Sequence, residues 1–146
     1  MHARTRIRQT FVELLQGKTL VGTKVYDSRL YTMEFTSLPG IIVFSLNEEV
    51  ATSTISPPRS QDRSVKIVVE CYAKAAKDVN VTVDNIALEV EKLVTNSFVL
   101  KKLCKDCRLQ STDTSLNYDG DQPVAVATLT FSVHYRTKEN NPTIII

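Results

Sequence analysis

Cys104 and Cys107 have the spacing in this sequence that most resembles a chemical motif. A Cys-x-x-Cys pair can carry out thiol–disulfide exchange or supply half of a zinc site. Zinc needs four ligands, but Cys71, His2 and His134 are scattered along the chain rather than grouped in a second pair. A redox pair typically opens a helix after a strand, whereas this pair follows a predicted helix. The spacing therefore favours structural cysteines, with no metal site and no cofactor.

Acidic residues and a histidine form the next candidates for chemistry. Asp113, Asp119 and Asp121 lack the order of a calcium-binding EF-hand loop and its closing glutamate, so they are interpreted as solvated turn residues. His134 falls on the polar side of a predicted strand, without a nucleophile pattern near it, and is interpreted as a surface residue. No catalytic residue is predicted, and the chain is not expected to be an enzyme.

Charge and composition limit the possible partners. The 146 residues include 18 basic and 16 acidic side chains, a net charge of +2, whereas nucleic-acid binders usually have a stronger basic bias. Arg4, Arg6 and Arg8 cluster near the N-terminus, but a helix dipole does not favour cations there, so a solvated face or a protein contact fits better. With four glycines, a glycine-rich phosphate loop is not expected.

Two amphipathic helices are predicted to support the domain. Apolar residues recur every three or four positions over 3–16, and Gly17 stands where a helix commonly ends. A second stripe covers 80–95, with Asn80 or Thr82 as its N-terminal cap. The apolar residues that follow predict a further turn packed on the core: Phe98, Val99, Leu100 and Leu103.

Alternation and turn residues place the strands. The segment 63–73 alternates well, with Val68 as the exception, and a long loop without periodicity is predicted over 47–62. A hairpin is predicted around Asp119-Gly120-Asp121, with its more polar strand near a sheet edge. The remaining strands are expected at 23–32, at 41–46 after the Pro39-Gly40 turn, at 106–118 and at 123–136.

The order α-β-β-β-α-β-β favours an α+β fold: a mostly antiparallel sheet with both main helices on one face and a polar opposite face. Residues 1–136 are predicted to form one domain and 137–146 a C-terminal extension that ends in three isoleucines. No apolar run has the length of a membrane span. The basic N-terminus is interpreted as part of a helix rather than as a signal peptide. The chain has three cysteines, an odd number, which favours a protein that is made and used in a reducing cytoplasm.

The order of these segments resembles the tail-terminator proteins of long-tailed phages, the minor tail protein U family. The resemblance covers nearly all of residues 3–136. It depends on the N-terminal helix, on the stretches 22–29 and 38–44, on the strand and helix at 63–95, and on Asn117 to Asp121 followed by the strand 127–135. The chain departs from the family in its C-terminal extension and its longer proline-containing loop.

The resemblance implies a structural role in the virion, at the head-proximal end of the tail, after assembly in the host cytoplasm. Family members form a six-membered ring on the finished tail tube, stop its growth and present a surface to the head connector. The implied partners are further copies of the chain, the tail tube protein and the head–tail connector protein. DNA passes through the lumen without specific binding.

Assembly contacts are expected in the loop 47–62 and at the tip of the predicted hairpin around Gly120. The candidate residues are Glu48, Glu49, Arg59, Asp119, Gly120 and Asp121. The strand 106–118 is expected to pair with a neighbouring subunit. Two alternatives remain open: a head–tail connector or joining subunit, and a small α+β nucleic-acid-binding module. The second would need paired aromatic residues that the polar sheet face lacks.

Overall fold

The computed structural model describes residues 1–27, 38–118 and 123–146. Within these ranges the chain forms three helices and six strands. The helices are α1 (Ala3–Leu15), α2 (Val79–Thr95) and α3 (Phe98–Leu103). The strands are β1 (Val25–Tyr26), β2 (Gly40–Thr52), β3 (Ser60–Lys74), β4 (Asp106–Asn117), β5 (Val124–Lys138) and β6 (Asn141–Ile145).

The strands form one sheet in the order β1-β2-β3-β5-β4, and β6 pairs with the far end of β5. All pairings are antiparallel except the short parallel contact between β1 and β2. The two central strands, β3 and β5, each have 15 residues and pair in unbroken register from Ser60 opposite Lys138 to Lys74 opposite Val124. The predicted α+β class and mostly antiparallel sheet are confirmed.

Both main helices pack on one face of this sheet. The buried side chains of α1 and α2 join the inward residues of β2, β3 and β5 in a single apolar cluster. At its centre the rings of Phe11 and Phe131 lie 5.5 Å apart and are tilted by 58°. Burial of this one face fixes the strand register, because a slip by one residue would turn the apolar side chains to the opposite face.

The opposite face of the sheet is not polar throughout. Val68, which breaks the alternation of β3, is 3% exposed and packs with Ile42 and Phe44 in a small second cluster, with Tyr72 against it. The exception in the sequence pattern is therefore a buried residue on the outer face.

Several predicted details were wrong. The segment 47–62 is mostly paired strand, because β2 continues to Thr52 and β3 begins at Ser60. Helix α2 begins at Val79, so Asn80 and Thr82 lie inside it, and the capping position is held by Asp78 with a positive φ of 57°. In α3 the side chain of Leu100 is buried, but Phe98 and Val99 are 69% and 61% exposed.

The C-terminal residues continue the sheet. β5 crosses residue 136 and ends at Lys138, and β6 turns back so that Ile145 lies opposite Thr137. Ile145 also packs against the main core. Among the described residues, no helix combines the length and the apolar character needed to cross a membrane.

Candidate assembly surfaces

The paired ends of β2 and β3, residues 48–63, form a β-hairpin that we call the arm, and its β3 strand also pairs with β5 from Ser60 onward. Its turn is closed by hydrogen bonds from the Ser53 amide to the Ser60 carbonyl (2.8 Å) and from the Ser60 amide to the Thr54 hydroxyl (2.8 Å). Ile55, at the tip, is 91% exposed. A strongly exposed apolar side chain on an ordered turn makes the arm a candidate contact surface.

Arg59 connects the arm to the end of β5. Its guanidinium lies 3.5 Å from the Glu139 carboxylate, and its carbonyl accepts a hydrogen bond of 2.8 Å from the Glu139 amide. Both side chains of this ion pair are partly exposed, so the pair itself adds little stability. The backbone bond keeps the arm turn beside the β5–β6 connection.

Glu48 lies at the base of the arm within a group of polar residues that we call the Glu48 cluster: His2, Arg4, Glu48, Arg63 and Tyr135. The Glu48 side chain is 9% exposed. Its carboxylate accepts hydrogen bonds from Arg4 (2.8 Å), from Arg63 (2.9 Å) and from the Tyr135 hydroxyl. The cluster therefore joins α1, β2, β3 and β5 at the point where the arm leaves the core.

Further hydrogen bonds connect the two arginines of the Glu48 cluster to His2 and to Thr137. The backbone amide of Arg4 donates to the ring of His2 at 3.2 Å, which caps α1, and desolvation lowers the pKa of His2, with a smaller contribution from the Arg4 charge. Arg63 also donates to the hydroxyl of Thr137, a fully buried residue, at 2.9 Å. The buried end of Arg63 therefore has acceptors on both neighbouring strands.

A register shift in β2 turns Glu48 inward. Ser45 lies opposite Ile67 and Glu48 opposite Val65, so β2 contains one extra residue over this stretch. Simple alternation from the apolar run at the start of β2 would direct Glu48 outward, and the extra residue reverses this. Sequence reasoning identified Glu48 but missed its partners. One sequence feature could have pointed to these partners. Arg63 and Tyr135 have polar groups at the ends of their side chains, and they lie opposite each other on β3 and β5.

Glu49, by contrast, is exposed. It lines a surface cavity of about 440 Å³ with Asp62, Lys105 and His134. Nearby, the Ser132 hydroxyl lies 3.3 Å from both the His134 ring and the Ser64 hydroxyl. Among the hydrogen bonds of the described residues, none joins a carboxylate to the other ring nitrogen of His134. The arrangement therefore lacks the orienting acid of a catalytic triad.

β4 forms the open edge of the sheet. Its inner edge pairs with β5 from Asp106 to Asn117, and no strand among the described residues pairs with its outer edge. From Gln110 to Asn117 every residue is exposed. A long strand with a free row of backbone donors and acceptors can pair with another chain. The prediction that the segment 106–118 lies at an edge is confirmed.

The remaining assembly candidates, Asp119, Gly120 and Asp121, lie outside the described residues. Glu48, Glu49 and Arg59 all lie on the arm, with Glu48 and Glu49 at its base and Arg59 in its turn. Within the described ranges, these three residues are separated from the open edge of β4 by strands β3 and β5.

The three cysteines are free thiols. Burial raises the pKa of Cys71 to about 12, that of Cys104 to about 11 and that of Cys107 to about 12, from an ordinary value of 9.0. Thiols with raised pKa values are poor nucleophiles and poor metal ligands. In the part of the chain that the structure describes, no group of three or more His, Cys, Asp or Glu side chains could hold a metal ion.

Among the described residues, this α+β domain has an open sheet edge and a hairpin turn with an exposed apolar side chain, two kinds of surface through which a subunit can assemble with other chains. The phage minor tail protein U family model matches residues 2–135. The chain therefore belongs to this family and is a structural protein of the phage tail.

Structural comparison gives a more distant likeness. A chain in the virion of the native gene transfer agent particle matches with 15% sequence identity and a TM-score of 0.48, over 93% of this chain and 92% of that one. No curated protein sequence matches this chain.

Proposed function

We propose that this chain is a tail terminator. Six copies form a ring on the end of the tail tube at the head-proximal end of the tail, stop tube elongation and provide the surface to which the head joins. The ring assembles in the host cytoplasm, catalyses no reaction and lets DNA pass through its lumen without specific binding. Residues 1–136 act as the terminator domain.

The observation that supports a ring is a sheet with an edge on each side that no strand among the described residues covers. One edge is the outer side of β4. The other is the outer side of β2 beyond Ile42, since β1 pairs with Ile41 and Ile42 among the described residues. A contact between two different surfaces of identical chains is heterologous, and it forms a closed ring when the rotation between neighbours divides a full turn evenly.

Strand direction is compatible with such a contact. Successive neighbours from β2 through β3 and β5 to β4 are antiparallel, so β2 and β4 run in opposite directions. If β4 of one copy met β2 of the next, the new pair would also be antiparallel. The sheet could then continue from subunit to subunit without a change in its hydrogen-bonding pattern.

The first experiment is native mass measurement of the purified chain at several concentrations up to about 100 μM, because weak assembly follows mass action. We expect the fraction of hexamer to rise with concentration, and we expect the hexamer to show a central hole on imaging. If the chain is monomeric, the measurement is repeated with uncapped tail tubes, where a six-copy cap is expected. A stable dimer at every concentration, or no cap on tubes, would contradict the proposal.

The arm provides a second test. Deleting residues 51–60 removes the arm tip and Ser60 at the start of β3, but leaves the Glu48 cluster and the apolar inward residues of β3 in place. We expect a folded chain that does not cap tubes, so that tails exceed their normal length. Tails of normal length from this variant would exclude the arm as a required contact.

A further inference from the structure

The charge of this chain is unevenly distributed. Residues 92–105 contain four of the 18 basic side chains and no acidic one, which leaves 14 basic against 16 acidic residues in the rest of the chain. A local charge of +4 therefore lies on a molecule that is otherwise weakly acidic. This segment comprises the end of α2, all of α3 and the connection to β4.

We call the exposed basic and apolar residues of this segment the α3 patch: Lys92, Phe98, Val99, Lys101, Lys102 and Lys105. All six are exposed. Lys102 Nζ lies 4.7 Å from the centroid of the Phe98 ring, so its charge lies over the aromatic face. Lys101 and Lys105 line one surface cavity of about 240 Å³, which Asp106 also lines. The patch thus combines an apolar centre with a basic surround.

The fold does not require the two apolar side chains at its centre. α3 has six residues, and Leu100 provides its buried contact, while the Ser97 hydroxyl accepts from the Leu100 amide and caps the helix. Phe98 and Val99 therefore expose apolar area without contributing to the core. Aromatic residues at the centre of a patch with a polar rim are typical of protein–protein interfaces.

The lysines of the patch also lack partners within the chain. Among the described residues, none of Lys92, Lys101, Lys102 and Lys105 forms an ion pair. In contrast, some acidic residues have partners within the chain, whereas others, such as Glu13, Asp84 and Asp113, are exposed and form no ion pair among the described residues. Ion pairs hold Asp27, Glu48, Asp62, Asp106 and Glu139, and Glu89 accepts from the Leu20 amide.

These observations favour a different protein over a second copy of this chain. A second copy is the less complementary partner, because the chain outside residues 92–105 is close to neutral, with 14 basic and 16 acidic side chains. Duplex DNA would be attracted by the lysines, but contacts with phosphates make no use of exposed Phe98 and Val99. An acidic protein surface with an apolar centre would satisfy both parts of the patch.

We propose that the α3 patch is the docking surface for a different tail protein, one that presents an acidic surface around an apolar centre. The inference deepens the proposed function and depends on it in one respect, because the partner is sought in the assembled tail. The α3 patch shares no residue with the ring contacts described above, which involve β2, β4 and the arm.

Zero-length carbodiimide cross-linking of assembled tails, followed by mass spectrometry, tests the proposal directly. This reagent joins a lysine to a carboxylate that it touches. We expect Lys101 or Lys102 to be joined to an Asp or Glu of another protein species. Links to carboxylates of this chain alone, or no link between proteins at these lysines, would overturn the proposal.

Variants provide the second readout. Lys101→Glu/Lys102→Glu is expected to lower the number of copies in tails about tenfold, as loss of a central contact typically does. Phe98→Ala should have an effect in the same direction. The matched controls are Lys18→Glu/Lys77→Glu, at exposed lysines elsewhere, and Val81→Ala, at an apolar residue of α2 that is 57% exposed. Equal loss in the controls would overturn the proposal.

Two measurements separate this proposal from its alternatives and from the ring. Native mass of Lys101→Glu/Lys102→Glu should equal that of the unchanged chain, since the patch is not part of the ring contact. A change in oligomer would assign the patch to a second copy and overturn the proposal. Binding of a duplex DNA fragment that disappears in the variant and weakens with salt would assign the patch to DNA instead.

Discussion

The Tyr135 hydroxyl donates a hydrogen bond to the Glu48 carboxylate, although the two residues are 87 positions apart in the chain. Tyr135 is 1% exposed and belongs to the main core, while Glu48 starts the arm. The same carboxylate accepts from Arg4 and Arg63. One buried acidic group thus fixes the arm relative to the first helix and the two central strands.

The first prediction is that Glu48→Gln lowers the free energy of unfolding by about 3 kcal/mol, since the substitution leaves the buried Arg63 charge without its carboxylate. The Arg63 side chain is 10% exposed, so water cannot replace the lost partner. Chemical denaturation followed by far-UV circular dichroism provides the measurement.

The matched control is Asp62→Asn, which breaks the ion pair with Arg136 on the same arm. The Asp62 side chain is 46% exposed, and solvent screens this pair. We expect its denaturation midpoint to stay close to that of the unchanged chain. Equal destabilisation by the two substitutions would show that the Glu48 cluster contributes no more to the free energy of unfolding than an exposed ion pair.

The second prediction concerns alkaline pH. Desolvation and the neighbouring Glu48 carboxylate raise the pKa of Tyr135 well above its ordinary value of 10.0. Above pH 10 the unfolded chain loses this proton while the folded chain keeps it. The resulting stabilisation is therefore complete below pH 10 and is lost as pH rises toward the folded pKa.

Tyr135→Phe removes this titration. Between about pH 9.5 and 11, the free energy of unfolding should fall less steeply for Tyr135→Phe than for the unchanged chain. Thermal or denaturant midpoints at closely spaced pH values would show the difference in slope. Parallel slopes would mean that Tyr135 titrates alike in the folded and unfolded chains.

The sequence was most informative where one face of an element is buried along its whole length. Helices α1 and α2 and strands β3 and β5 have regular apolar spacing, and they form close to the predicted ranges. The arm was missed because the end of β2 is mostly exposed, so its side chains lack the alternation that burial imposes.

The Glu48 cluster was harder to predict from the sequence than the arm. The extra residue between Ser45 and Glu48 reverses the inward and outward sides of β2, and nothing in the local sequence reports it. Pairing of Glu48 with Arg4 and Tyr135 depends on contacts between distant segments. Similarly, the apolar residues of α3 predicted core packing, but a helix of six residues buries one of them well.

The third prediction addresses the core. Val90 on α2 is fully buried, and Val90→Asp should destabilise the chain by about 4 kcal/mol or more, because a charge would be buried without a partner. Leu88→Asp is the control, since Leu88 lies on the outer side of the same helix and is 48% exposed. A folded Val90→Asp protein that fails only to assemble would show that this face is an interface.

The fourth prediction concerns the open edge of β4. Thr112→Lys/Thr114→Lys places two charges on an exposed edge strand, which disfavours pairing with another strand. We expect the monomer to keep its unfolding midpoint and to lose ring formation, as measured by native mass.

The control for the edge variant adds the same charge elsewhere. Asn80→Lys/Asn85→Lys introduces two lysines on the exposed side of α2 and should leave assembly unchanged. If both variants form rings as well as the unchanged chain, the edge of β4 is not a subunit contact.

The last prediction uses the raised pKa values of the thiols. At pH 8, a thiol whose pKa rises from 9.0 to about 12 has about a thousandfold less thiolate, and thiolate is the form that reacts. Cys71 and Cys107 in the folded chain should therefore react with iodoacetamide far more slowly than in the denaturant-unfolded chain. Cys104, with a pKa raised to about 11, should show a smaller reduction.

Peptide mass spectrometry at timed intervals resolves the three reaction rates. Cys71 lies deep in the core, so its rate is the reference for a site that stays closed. If Cys107 reacted at its unfolded rate while Cys71 stayed protected, the start of β4 would open independently of the core. The edge proposed for ring assembly would then be mobile in the free subunit.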